Sequence, residues 1–120
     1  MGHTPKQALR MGLQSPGEVW TAKVEGRPEA MFGLNVESAL GGIAHPWMLG
    51  SDAIYQHPRE MIVWGTGLVR RWVDSFGHLS NLVSVDNAPA IRLLRRWGFD
   101  IGSEVIELGG VEFVAFTMER

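Results

Sequence analysis

The sequence contains no cysteine, a single tyrosine and almost equal numbers of positive and negative charges. The lack of cysteine excludes disulfide bridges, thiolate metal ligands and a thiol nucleophile. Eleven basic and thirteen acidic residues give a net charge of −2, so the overall charge indicates neither nucleic-acid binding nor an acidic membrane partner. The histidines are too scattered for the spacing of a metal site, and we predict none. They are His3, His45, His57 and His78.

Long apolar runs are also absent. None reaches the roughly 18 residues that a membrane span needs, and the first six residues contain no apolar core of a signal peptide. Apolar side chains are nevertheless plentiful, at 45% of the residues with five tryptophans, which is enough for a hydrophobic core. With 120 residues and no internal repeat, the sequence predicts a single domain over residues 1–120.

The first part of the chain predicts a short helix followed by three strands. Residues 5–13 begin with a proline and have apolar residues at helical spacing, and the Ser-Pro-Gly sequence at 15–17 predicts a turn. β-Branched and aromatic residues predict the strands, which are expected at 19–24, 29–36 and 43–49. A proline within the third predicted strand, Pro46, indicates that this strand lies at a sheet edge or contains a bulge.

The second part predicts two helices and three more strands. Apolar residues at three- and four-residue steps predict a long helix over 57–76 that ends at Gly77 or His78. A buried strand near Val83 follows. The last strands, expected at 101–108 and 111–118, form a closing hairpin around two glycines.

The clearest local signal lies between residues 83 and 99. Asp86 and Asn87 can accept hydrogen bonds from the free N–H groups of a helix start, and Pro89 suits the first helical turn. Gly98 suits a left-handed helix end. The apolar residues of this helix recur on one face; they are Ala90, Leu93, Leu94 and Trp97.

This segment resembles the second cofactor motif of the GNAT acetyltransferases, in which Asn, Ala, Leu, Tyr, Gly and Phe stand at fixed spacing. The matching positions are Asn87, Ala90, Leu93, Leu94, Gly98 and Phe99. The resemblance implies an α+β fold with a mixed, mostly antiparallel sheet flanked by helices, here shortened at the N-terminal end. It also implies that Asn87, Ala90 and Leu94 contact acetyl-CoA. The family's usual general acid is the tyrosine, which Leu94 replaces.

The other GNAT cofactor motif is a glycine-rich loop that binds the pyrophosphate of acetyl-CoA. Gly65 and Gly67 have the right mutual spacing but stand too close to Asn87, so we expect them inside the long helix, packed against a neighbour. The spacing of the family instead places the phosphate-binding segment near His57 and Arg59. A basic residue beside the free N–H groups of a helix start makes a weak anion site; the alternative is an ordinary polar helix start.

The resemblance also implies a general base on the fourth strand of the family, where a glutamate is common. The corresponding segment, 43–49, offers only His45, whose ordinary pKa suits the role. The alternative is a structural histidine at the end of a strand. Tyr55 is not linked to the site by any pattern. We therefore expect weak acetyl-CoA binding and little or no turnover.

Two segments resemble more narrowly the GNAT-like internal virion and head-assembly proteins of short-tailed bacteriophages. These segments are residues 45–52 and residues 57–87. The resemblance implies a role in particle assembly, through contacts with a phage head or tail protein or with a second copy, and a location in the virion or the host cytoplasm. Two alternatives stay open: an active acetyl-CoA-dependent N-acetyltransferase with an atypical cofactor loop, and a module that binds a small acyl-CoA or peptide without turnover.

The arginines offer a last alternative, contact with nucleic-acid phosphates. They are Arg70, Arg71, Arg92, Arg95 and Arg96. The net charge of −2 favours solvated helix faces instead.

Overall fold

The computed structural model describes the backbone of residues 9–14 and 18–120, and the side chains from Glu18 onward. Within these residues the chain forms one eight-stranded sheet and two α-helices. The strands are β1 (Leu9–Gln14), β2 (Val19–Val24), β3 (Arg27–Ser38), β4 (Ile43–Gly50), β5 (His78–Ser84), β6 (Asp100–Ile101), β7 (Ile106–Leu108) and β8 (Val111–Glu119). The helices are α1 (Pro58–Phe76) and α2 (Ala88–Trp97), and a short 3₁₀ helix spans Asp52–Gln56. This architecture confirms the predicted α+β class.

The sheet has the strand order β1-β2-β3-β4-β5-β8-β6, and β7 also pairs with β8. The strands pair in antiparallel fashion except β4 and β5, which are parallel. These two strands share only the pairs Ile43–His78 and Ala44–Leu79. Both strands continue past this short ladder, so the sheet opens between their carboxyl ends.

The predicted first helix is wrong for the part that the structure describes. Residues 9–14 form β1, which pairs with β2 along its whole length, from Leu9–Val24 to Gln14–Val19. A short isolated helix is marginal in water, whereas the backbone groups along β2 need partners. Sheet pairing therefore decides the conformation. The rest of that predicted helix, residues 5–8, and the predicted turn at 15–17 lie outside the described residues.

The position predicted for Pro46 is also wrong. Strand β4 lies inside the sheet, between β3 and β5, and the register shift is in β3, between Val36 and Ser38. The Pro46 carbonyl accepts a hydrogen bond from Asn81 Nδ2 at 2.9 Å. The nitrogen of a strand residue points to the same side as its carbonyl, so the N–H that Pro46 lacks would face the gap where pairing with β5 has ended. The proline therefore costs no ladder hydrogen bond.

The two predicted helices are confirmed, together with their end signals. The Asn87 side chain accepts a hydrogen bond from the Ala90 N–H at 3.3 Å, which caps α2. Gly98 ends α2 with φ of 104°, and Gly77 ends α1 with φ of 89°. The first strand of the closing hairpin is interrupted, because residues 102–105 leave the sheet between β6 and β7.

Both helices pack on the same face of the sheet. The ring of Phe32 lies 4.9 Å from Trp64 of α1 and 6.1 Å from Trp97 of α2, centroid to centroid. Successive side chains of β4 leave the strand on opposite faces of the sheet. Trp47 and Leu49 therefore start from the face opposite the helices, and Leu49 is 68% exposed. Among the described residues no helix covers that opposite face.

Candidate functional site

A cavity of about 250 Å³ opens where β4 and β5 diverge. Strand ends from both sides of the gap form its walls, and faces of α1 and α2 close it. Much of its lining is aromatic, from Phe32, Trp47, Trp64, Trp72, Trp97, Phe99 and Phe116. Its side-chain amides and hydroxyl come from Asn81, Ser84 and Asn87. The site is thus an apolar cleft with a few polar groups, the usual character of a small-molecule site.

Three of the predicted site residues lie together in this cleft. Asn87, Ala90 and Leu94 all line it, because the cap and one face of α2 are turned toward the gap. Ala90 is 2% exposed and Leu94 is 7% exposed. Where the family resemblance requires a tyrosine that donates a proton, this chain therefore has the buried hydrocarbon side chain of Leu94. The cofactor role of the three residues stays a prediction.

The two residues predicted to bind phosphate, His57 and Arg59, are not among the residues that line the cleft. His57 links the 3₁₀ helix to α1: its N–H donates to the Ile54 carbonyl at 3.2 Å, and its carbonyl accepts from Met61 N at 3.0 Å. Its side chain is 13% exposed, with Nδ1 3.6 Å from a Glu60 carboxylate oxygen. Since Pro58 has no N–H and Glu60 places a negative charge in the first turn, this helix start is a poorer anion site than the sequence predicted.

A second cavity, also of about 250 Å³, lies beside the start of α1, between it and α2. Its lining includes Tyr55, Pro58, Arg92 and Arg96. Two guanidinium groups and a phenol ring suit a phosphorylated aromatic compound. Burial, with a smaller contribution from Asp52, raises the pKa of Tyr55, so its hydroxyl stays protonated. Both arginines are exposed, as predicted for a solvated helix face, and their four-residue spacing places them on one side of α2.

The glycine pair lies within α1, as predicted. A Cβ atom on Gly65 would stand 2.1 Å from Cε2 of Trp97, whose indole N–H donates to the Met61 carbonyl at 2.9 Å. Gly65 therefore makes room for an indole that crosses α1, which confirms the packing interpretation. For Gly67 that interpretation is wrong, because a Cβ there would meet nothing within 4 Å.

His45 lies on β4 just beyond the last pair with β5, on the sheet face opposite the helices. Its Nδ1 is 2.7 Å from the Ser80 carbonyl oxygen and its Nε2 is 2.7 Å from Glu37 Oε1. A carboxylate and a carbonyl oxygen both accept, so this arrangement favours the imidazolium form of His45, although the Ser80 hydroxyl, 3.4 Å from Nδ1, is also within reach. The hydrogen bond to Glu37, and after it the one to Ser80, raises the pKa of His45.

This geometry alters the catalytic prediction for His45. The contacts that favour the protonated ring make it a poorer general base, because an imidazolium accepts a proton only after it has lost one. His45 is also not among the cleft-lining residues, and these include no carboxylate, histidine or tyrosine. The cleft can bind and orient a ligand, but its lining offers no titratable group for proton transfer.

Within residues 9–14 and 18–120 no three His, Asp or Glu side chains come together in a way that could hold a metal ion. Over the same part of the chain no helix is both long and apolar enough to cross a bilayer.

Solved structures of acetyltransferases share this fold. One is aminoglycoside acetyltransferase AAC(6')-Ib in complex with coenzyme A, which superposes with a TM-score of 0.63 and is 16% identical in sequence. The match covers 86% of this chain and 66% of the acetyltransferase chain. The ribosomal alpha-N-protein acetyltransferase RimL in complex with CoA is 13% identical, with 85% and 61% coverage and a TM-score of 0.66. The microcin C7 self-immunity acetyltransferase MccE, in complex with acetyl-CoA and AMP, is 14% identical, with 86% and 61% coverage and a TM-score of 0.67.

At these identities the likeness establishes the fold: the chain has the architecture of the GNAT acetyltransferases. It spans less than two thirds of the length of these three chains. No protein-family model matches the sequence, and no curated protein sequence matches it.

Proposed function

We propose that the protein binds an acyl-CoA thioester in the cleft between β4 and β5. The observation that carries the proposal is the meeting of Asn87, Ala90 and Leu94 at that opening, beside strand ends whose backbone groups have no ladder partner across the gap. The structures that share the fold include complexes with CoA and acetyl-CoA. An extended pantetheine arm has amide groups that could pair with these strand ends, in place of the Asn81 side chain that now bonds the Pro46 carbonyl and the Leu82 N–H.

The residues present fit the two ends of such a ligand unequally. The apolar cleft, with Asn81, Ser84 and Asn87, suits the pantetheine and acyl part. The phosphates would be held by Arg92 and Arg96, assisted by His57 and Arg59 at the start of α1, rather than by a glycine-rich loop. Exposed arginines hold an anion less firmly than a ring of backbone N–H groups, so binding should be weak.

Acyl transfer to an amine would be slow in this site. The reaction needs a base that takes the proton of the attacking amine and an acid that protonates the departing thiolate. Leu94 replaces the acid, and the hydrogen bonds of His45 to Glu37 and Ser80 favour its protonated form. The loss of one such group typically lowers the rate by about 10²–10⁴-fold.

Calorimetric titration with CoA and acetyl-CoA tests the binding proposal. We expect saturable one-to-one binding that Ala90→Leu weakens at least tenfold, because the added carbons enter the cleft. The matched control is Ala88→Leu, an exposed position two residues earlier in α2 that does not line the cleft. Equal melting temperatures of the two variants would confirm that neither is misfolded. No heat of binding for the unaltered protein would refute the proposal.

A thiol-detection assay with a panel of amines and peptides tests the chemistry. We expect no burst of CoA release. Turnover that disappears in His45→Ala would make His45 the base and overturn the prediction of an impaired site. Turnover that persists in this variant would assign proton transfer to solvent or to another group.

We propose as a second function that the protein acts in phage particle assembly, through a head or tail protein or through a second copy. It is supported by the resemblance of residues 45–52 to phage GNAT-like proteins and by the sheet face opposite α1 and α2, on which no helix of the described residues packs and where Leu49 is 68% exposed. Cross-linking to a purified head or tail protein that Leu49→Asp abolishes would support this function, since Leu49 is exposed and does not line the cleft. A chain that stays monomeric and uncross-linked with these proteins would contradict it.

A further inference from the structure

Asn81 is a polar residue in an apolar row of β5. It stands between Leu79 and Val83, whose side chains leave the strand on the same face and are 0% and 8% exposed. Its side-chain amide lines the cleft between β4 and β5. An amide among core residues costs free energy unless it is hydrogen-bonded, so its partners indicate why it stands there.

Those partners are two backbone groups that a longer sheet ladder would join directly. The His78 N–H donates to the Gly42 carbonyl at 3.0 Å, and a parallel ladder advances by two residues on each strand. Four residues further on, the same pattern would pair the Leu82 N–H with the Pro46 carbonyl. Instead, Asn81 Nδ2 donates to the Pro46 carbonyl at 2.9 Å, and the Leu82 N–H donates to Asn81 Oδ1 at 2.8 Å. One side-chain amide is thus inserted between the two groups.

The inserted amide has the same donor and acceptor as an amide of the pantetheine arm. Both offer one N–H to the Pro46 carbonyl and one carbonyl oxygen to the Leu82 N–H. The two backbone groups cannot serve both amides at once. The Asn81 side chain is half-buried at the cleft rather than sealed in the core, and a change of its χ1 rotamer would release both groups.

We infer that Asn81 is an internal competitor of the ligand: its side-chain amide occupies the place of one ligand amide and turns away when an acyl-CoA binds. This inference rests on the proposed binding of acyl-CoA in the cleft. The apparent affinity is then lowered by the small fraction of protein in which Asn81 has turned away. Asn81 also determines specificity, because a ligand has to supply an amide that replaces both hydrogen bonds.

Calorimetric titration of Asn81→Ala tests the inference without requiring turnover. The probes are CoA and 3′-phospho-ADP, which is CoA without its pantetheine arm. One hydrogen bond typically changes an equilibrium constant by about twofold to tenfold. We expect Asn81→Ala to bind CoA at least threefold more tightly than the unaltered protein, and 3′-phospho-ADP with unchanged affinity. The control Asn35→Ala, at an exposed position of β3 that does not line the cleft, should change neither affinity.

Proton exchange measured by NMR follows the Asn81 amide in the unaltered protein, so this test does not depend on the folding of a variant. Saturation with CoA should speed the exchange of the Asn81 side-chain amide protons, because their bond to the Pro46 carbonyl is lost. The Leu82 N–H should stay protected, because the ligand carbonyl replaces Asn81 Oδ1. In free Asn81→Ala the Leu82 N–H should exchange faster, and CoA should restore its protection.

The outcomes separate the two proposals. CoA binding that Asn81→Ala leaves unchanged or weakens would overturn the inference and leave the proposed function intact. Side-chain amide protons of Asn81 that stay protected in the CoA complex would do the same, since Asn81 would then be a permanent link between the strands. An equal gain for CoA and 3′-phospho-ADP would also overturn the inference. The absence of CoA binding by all three proteins would overturn both proposals.

Discussion

Gly65 and Gly67 stand two positions apart in α1, yet they have different surroundings. Gly65 faces the Trp97 indole, while a Cβ on Gly67 would meet open space. In the sequence the two form one pair, because their spacing is that of the glycine-rich cofactor loop. The difference between them comes from one side chain of another helix.

The two glycines give a matched prediction for stability. Gly67→Ala should raise the free energy of unfolding by up to about 1 kcal/mol, because alanine favours the helix and nothing obstructs it. Gly65→Ala should lower it by about 1–3 kcal/mol, because the methyl group displaces the buried indole. Urea unfolding of both variants measures the effects. A change of the same sign at both positions would contradict this interpretation of α1.

His45 gives a prediction for the pH dependence of stability. Its folded pKa is raised above the unfolded value of about 6.5, chiefly by the hydrogen bond to Glu37. The protonated ring therefore stabilises the fold fully below about pH 6.5, and this contribution is lost as the pH rises through the folded pKa. Glu37→Gln should lower the pKa of His45 and should destabilise the protein more at pH 6 than at pH 9.

Proton NMR of the imidazole measures that pKa, and urea unfolding at the two pH values measures stability. Glu104→Gln, which neutralises an exposed carboxylate elsewhere, is the control and should show no such pH dependence. An equal effect of Glu37→Gln at pH 6 and pH 9 would show that the Glu37–His45 contact does not form in solution.

At the scale of elements, α2 is the helix that the sequence described most completely. Its cap, its apolar face and its glycine end are all local signals, and the structure contains each of them. Residues of this apolar face contact two different cavities: Ala90 and Leu94 line the cleft, whereas Leu93 lines the second cavity. The helix therefore both closes the cleft and joins the core.

Leu93→Ala tests the anchoring of α2. Leu93 is 7% exposed, and emptying a buried leucine position typically costs about 2–5 kcal/mol of unfolding free energy. The control Arg95→Ala, at an exposed position on the same helix, should cost less than about 1 kcal/mol. Thermal and urea unfolding measure both. An unchanged melting temperature for Leu93→Ala would mean that this face of α2 is not packed.

At the scale of the whole molecule, the cleft depends on elements distant in sequence. Its wall combines one side chain of β3 with the ends of β4 and β5, both helices and β8. Four of the five tryptophans of the chain line it, namely Trp47, Trp64, Trp72 and Trp97. A ligand in the cleft is thus surrounded by indoles from three different elements.

Ligand binding should therefore be visible in tryptophan emission and in thermal stability. Saturating acetyl-CoA should change the emission, and at 100 times its dissociation constant it should add about 2.7 kcal/mol to the free energy of unfolding. Trp47→Phe should reduce the emission change. Trp20→Phe, outside the cleft lining, should preserve it. A rise in melting temperature with no emission change in any of these proteins would place the ligand outside the cleft.

The sequence alone determined the elements whose signals are local. The two helices and their caps follow from residue spacing, because hydrogen bonds within a helix and at its ends join residues close in sequence. Strand β2 follows from its β-branched and aromatic residues. The motif resemblance also selected Asn87, Ala90 and Leu94, and these three do lie at one cleft.

The tertiary structure alone decided the rest. Residues 9–14 became a strand because β2 offered backbone partners, and Pro46 is tolerated inside the sheet because β5 has diverged there. The protonation of His45 depends on Glu37 and on the Ser80 carbonyl, 35 residues away along the chain. Such contacts join residues that no sequence spacing relates, since they form only when the strands and helices are packed together.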